Sequence, residues 1–114
     1  MPFKEITHCV QRLEMLEERA GIEIGGLMVS VNDEADTDGE YKVSIMGEIT
    51  ARGGSTIEHD VEIKINCYNS NRQVCGTSTV YFSSNDFYGL ETLDDTVYSK
   101  GFPVDIKIVA KIIK

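Results

Sequence analysis

From Val61 to Phe82 the chain reads VEIKINCYNSNRQVCGTSTVYF, two alternating runs rich in β-branched residues on either side of the turn-forming Asn69-Ser70-Asn71. The pattern predicts a long antiparallel hairpin. A hairpin cannot bury its apolar face alone, so the rest of the chain must supply a second sheet or a helix to cover it. Upstream, Phe3, Ile6, Cys9, Val10, Leu13 and Leu16 recur at steps of three and four, while Glu5, Gln11, Arg12, Glu14, Glu18 and Arg19 point elsewhere. This periodicity predicts an amphipathic helix over about residues 3–20, with Pro2 near its start and Gly21 at its stop. The stripe packs either on the chain's own sheet or on a partner.

After Gly21 the period changes. Ile22-Glu23-Ile24 and Leu27 to Val31, interrupted by Gly25-Gly26, predict a bulged strand or two short ones. Turn chemistry fills Asp33 to Glu40, and Tyr41 to Thr50 alternates as a half-buried strand. A loop follows at Arg52-Gly53-Gly54-Ser55, then the central hairpin, which Ser83-Ser84-Asn85-Asp86 closes. Phe87 to Leu90 and Val97-Tyr98 read as apolar anchors in a less regular region. Pro103 introduces a last alternating strand from Val104 onward. About six or seven strands and one helix predict a single mainly β domain over 1–114, an antiparallel sandwich rather than a parallel α/β sheet.

Several of these segments together resemble the immunoglobulin-like sandwich domains of the FxLYD type, accessory modules of bacterial proteins. The residues concerned are Ile45-Met46-Gly47-Glu48-Ile49, Ile65 to Asn71, Cys75-Gly76-Thr77-Ser78-Thr79 and Phe87-Tyr88-Gly89-Leu90-Glu91, within Val43 to Val109. The chain departs from that pattern where Asn66-Cys67-Tyr68-Asn69 replaces the leucine-tyrosine-aspartate core. The resemblance implies an immunoglobulin-like fold and a noncatalytic binding or spacer role, with no substrate.

Charge narrows the partners. With 11 Lys and Arg against 19 Asp and Glu, the net charge of −8 argues against nucleic acid and against anionic membranes. No run approaches the roughly 18 apolar residues of a membrane span, and acids interrupt the first twenty or so residues where a secretion signal is apolar, so the expected location is cytoplasmic. Cys9, Cys67 and Cys75 are an odd set, expected as free thiols.

Two groups carry candidate chemistry. Glu34, Asp36, Asp38 and Gly39 fall on the first, third, fifth and sixth positions of a calcium loop, yet the twelfth is Ile45 where a bidentate glutamate is needed, so a solvated hairpin loop is the expectation. Cys67 and Cys75 flank the hairpin turn. One register sets them opposite each other, close enough for a cross-strand bond or a shared metal, and a one-residue slip sends them to opposite faces. Neither His8 nor His59 has zinc-ligand spacing, no glycine-rich phosphate loop precedes a helix, and no GxSxG elbow occurs.

The expected function is therefore a noncatalytic protein-interaction or assembly module without a cofactor, its partner another protein or a second copy of the chain. Leu13 and Leu16 on the stripe, with Tyr68, Tyr81 and Tyr88, are the candidate anchors, and Phe87 and Tyr98 are further exposed-aromatic candidates. The alternative is a small-molecule or metal-binding β-domain, its ligand held between the sheets or by the acidic loop.

Overall fold

Alternation carries most of the chain into strands. The structure is a computed structural model describing residues 3–32, 34–54 and 56–113. Its elements are β1 (Phe3–Glu5), β2 (Val10–Arg12), α1 (Glu14–Ala20), β3 (Ile22–Asn32), β4 (Tyr41–Ala51), β5 (Val61–Tyr68), β6 (Val74–Phe82), β7 (Leu90–Ser99) and β8 (Asp105–Ile112), with 3-10 turns at Thr7–Cys9 and Ser84–Asp86. Pro2, Asp33, Ser55 and the side chain of Phe3 lie outside the described residues.

Two four-stranded sheets form the expected sandwich, in the orders β1-β3-β4-β7 and β2-β8-β5-β6. Alternate residues of the facing strands fill the space between them. Val43, Ile45 and Ile49 of β4 meet Val61, Ile63 and Ile65 of β5 and Ile106 and Ile108 of β8, all fully buried. Each such side chain is worth about 1.5–3 kcal/mol relative to exposure. In the first sheet β3 and β4 follow one another in the chain as antiparallel neighbours.

The helix is a correction to the periodicity. It covers Glu14–Ala20 only, and the preceding residues are strands: β1 pairs antiparallel with β3 at Ser30 to Asn32, and β2 pairs parallel with β8 at Ile106 to Ile108. Backbone pairing across the fold outweighs the local helical preference of so short a segment. Ile6 sits between these two strands and reaches the core at 2% exposure. The segment expected to be irregular after Phe87 is likewise a strand from Leu90 on, because β7 pairs along its whole length with β4.

The sandwich closes differently on its two open sides. On one, the edge strands β6 and β7 abut. Ser78 Oγ donates to Asp95 Oδ2 at 2.6 Å, and the Lys100 amide donates to the Cys75 carbonyl at 2.8 Å. Gly76 makes this approach feasible, since a Cβ there would lie 2.8 Å from Val97 Cγ1. On the other side the N-terminal segment passes from the first sheet to the second, and α1 packs against both β3 and β8.

Candidate functional site

The face built by α1 and the end of β8 has an inverted pattern. The side chain of Glu17 is completely buried, whereas Leu13 is 49% and Met15 67% exposed. Arg12 explains the inversion. Its Nε donates to Glu17 Oε2 at 3.1 Å and its Nη2 to Oε1 at 3.3 Å, and the Ile24 amide donates to that same Oε1 at 3.3 Å. One carboxylate thus ties β2 of one sheet to β3 of the other and fixes the rotation of α1. With Glu17 and Ala20 turned inward, Glu14, Met15, Glu18 and Arg19 face out. The helix stops at Gly21, whose φ of 75° is open to glycine, and the Gly21 amide caps the Glu18 carbonyl.

Beside the helix, β2 covers β8 only at Ile106 to Ile108. Beyond that point the outer edge of β8 faces α1 rather than a strand. The Ile113 amide donates to Asp60 on the β5 side, so by antiparallel alternation Ala110 and Ile112 turn their backbone polar groups away from β5. Between helix and strand lies a groove of about 290 Å³ whose walls are apolar, formed by Leu16, Val109, Ala110 and Ile112, with Arg19 and Lys111 at its margin. Ile112 and Ile113 are 39% and 37% exposed.

The predicted anchors divide. Leu13 and Leu16 share this face, Leu16 half-buried in the groove wall. Tyr81, 64% exposed, pairs with Glu62, which pairs with Lys111, so it lies two strands across from the groove. Tyr68 lies six residues further along β5 than Glu62, roughly 20 Å away. Tyr88, 78% exposed, stands on the turn before β7, and Phe87 beside it is buried in the core. Tyr68 and Tyr88 are therefore separate from the α1 face.

The acidic loop is organised by its own backbone. Asp36 Oδ1 accepts the amides of Asp38 and Glu40, each at 2.9 Å. The carboxylates of Asp36, Asp38 and Glu40 come within 4.8 Å of one another, and Glu34 is not part of that group. This is the geometry of an Asx turn closing the β3–β4 connection.

All three cysteines are free. A bulge between Cys67 and Tyr68 sets Cys67 opposite Gly76 rather than Cys75, so neither simple register holds. Cys75 Sγ rests 3.5 Å from the Cys67 carbonyl and 3.0 Å from Ser99 Oγ. Burial, with a smaller contribution from Cys75, pushes the Cys67 thiol up to about 12, far from the thiolate that nucleophilic or metal chemistry needs. His8 and His59 are both exposed.

Sequence reasoning missed Glu17 and with it the orientation of the helix. No local signal points to it, because the spacing of residues 3–16 sets Arg12 on the polar side of one longer helix rather than at a junction of strand and helix. No helix is long and apolar enough to cross a membrane among the described residues. Comparison with family models, curated proteins and solved structures finds no match to this chain.

Proposed function

We propose that the chain is a noncatalytic assembly module that associates with a second copy of itself through the α1 and β8 face. The observation that carries this reading is the apolar groove between Leu16 and Ile112, together with exposed Met15 on α1 and exposed Leu13 at the helix N-cap. Charge selects the occupant. Arg19 and Lys111 stand at the margin of the groove, while Glu14 and Glu18 project from the helix beside it. In a two-fold arrangement the acids of one helix meet the cations of the other, and Leu13 and Met15 leave water. Three free thiols suit a reducing compartment such as the cytoplasm. This role needs no immunoglobulin connectivity, since α1 lies outside Val43 to Val109, where the FxLYD resemblance resides.

A charge swap tests it. Arg19→Glu with Lys111→Glu is made in one chain, and Glu14→Lys with Glu18→Lys in another; all four positions are exposed, and circular dichroism checks that each variant keeps its fold, since Glu14 lies 3.8 Å from the Arg12 guanidinium. Each variant alone is expected to be a monomer under conditions where the unaltered chain dimerises, and an equimolar mixture to form the heterodimer. Variants that associate as the unaltered chain does, or a mixture that fails to associate, would overturn the reading.

A further inference from the structure

A second concavity lies on the outer face of the β2-β8-β5-β6 sheet, at the end opposite the α1 groove. It encloses about 440 Å³ and is lined by polar groups, among them Gln11, Tyr68, Ser70, Arg72, Asp105 and Lys107. Two cations, Arg72 and Lys107, line the same concavity in a chain with a net charge of −8. Neither Arg72 nor Lys107 has a carboxylate within ion-pair distance among the described residues. Lys107 Nζ lies 5.1 Å from the centroid of the Tyr68 ring, which fixes its long side chain over an aromatic face. Asp105, the one acid in the lining, is engaged by Gln11, whose Nε2 donates to Oδ2 at 3.3 Å.

Arg72 is held in place at a conformational cost. It is the one non-glycine residue with a positive φ among the described residues, at 63°. The turn that imposes this is tied by Asn69, whose Oδ1 accepts the amides of Asn71 and Gln73 at 2.9 and 3.0 Å and whose carbonyl accepts the Arg72 amide at 3.0 Å. Glycine takes such a backbone without strain, so at Arg72 the turn holds an arginine backbone in a fixed, uncommon conformation that sets where its side chain leaves the hairpin.

We propose that this cleft binds a small oxyanion, a carboxylate or phosphate group on a compact organic body, between the Arg72 guanidinium and the Lys107 ammonium. The guanidinium supplies a planar fork of donors and the ammonium a point charge. Asp105 beside them favours a ligand that also carries a hydroxyl or amino donor, and it disfavours a second anionic group. The volume suits a molecule of metabolite size rather than a polymer.

The test is a titration of the full chain, followed by amide NMR, with inorganic phosphate and separately with lactate, a hydroxy acid with one carboxylate, at ionic strength held constant with sodium chloride. Saturable shifts are expected at residues 69–73 and 104–107, and the probe that saturates identifies the group, phosphate or carboxylate. Arg72→Gly keeps the turn without its strain, so this variant is expected to fold at least as well and to bind about tenfold more weakly or worse. Lys107→Gln is expected to weaken binding similarly while leaving the spectrum of the opposite end unchanged. Absence of saturation by either probe into the millimolar range would overturn the proposal. Binding that survives both substitutions would overturn it equally.

Discussion

The guanidinium of Arg12 and the carboxylate of Glu17 meet at 3.1 Å, at a point where a strand of one sheet, the helix and a strand of the other sheet converge. Glu17 is wholly buried, and the Arg12 side chain is 26% exposed. A buried ion pair is a weak source of net stability, yet removing one partner leaves an uncompensated charge and an unpaired amide. Glu17→Ala is expected to destabilise the fold by about 3 kcal/mol, the low end for a buried pair because Arg12 retains some water. Glu17→Gln keeps an acceptor for the Ile24 amide and is expected to cost about 1–2 kcal/mol. Urea unfolding of the two variants measures both values.

The contact between β6 and β7 gives a steric prediction. A Cβ on residue 76 would sit 2.8 Å from Val97 Cγ1 and 3.1 Å from Ser99 Cα, and the latter is backbone and cannot turn aside. Gly76→Ala is expected to cost about 1–3 kcal/mol. Gly25→Ala, where nothing lies within 4 Å of the new atom, is expected to stay within about 0.5 kcal/mol of the unaltered chain. Thermal midpoints of the two proteins separate a tight approach from a general intolerance of alanine in strands.

How far the sequence discloses this molecule depends on the range of the interactions involved. The β5–β6 hairpin and β4 are legible because alternation and the Asn69 turn are local signals. The strands β1 and β2 are not, because they exist only through pairing with β3 and β8, and Ile6, Cys9 and Val10 happen to keep helical spacing. Glu17 is not singled out by the sequence pattern, since nothing local distinguishes a buried acid from the exposed ones beside it. Leu13 and Leu16 are found by periodicity, but their exposure follows from a rotation that the Arg12 contact sets. The groove itself joins residues 16 and 112, and no local pattern reports such a juxtaposition.

The Cys67 thiol links burial to alkaline stability. Its folded value is raised from the ordinary 9.0 to about 12, so the folded state favours the neutral thiol. The resulting stability is fully present below pH 9.0 and is lost as pH rises from there toward about 12, where the unfolded chain ionises first. Cys67→Ala is expected to show a shallower decline across that window than the unaltered chain. At neutral pH a thiol reagent is expected to modify Cys67 last, and only as fast as the chain unfolds.

Asp60 acts at the other end of the pH scale. The Ser84 amide and hydroxyl donate to its Oδ1 at 2.8 and 3.0 Å, and these bonds hold its carboxyl below the ordinary 3.8. A lowered folded value contributes stability above the ordinary value, and that contribution is lost as pH falls through the folded one. Asp60→Asn is expected to flatten the acid limb of the stability curve below pH 3.8. An unaltered acid limb would show that the Ser84 contacts do not persist in solution.

The most direct measurement is the solution mass of the chain by light scattering over a range of concentrations, with Leu13→Ser and Met15→Ser combined as the comparison. Both residues are exposed at 49% and 67%, so the variant is expected to keep its fold, which circular dichroism checks. A concentration-dependent dimer is expected for the unaltered chain and a folded monomer for the variant. A monomer at every concentration, or a dimer indifferent to the substitutions, would contradict assembly through the α1 and β8 face.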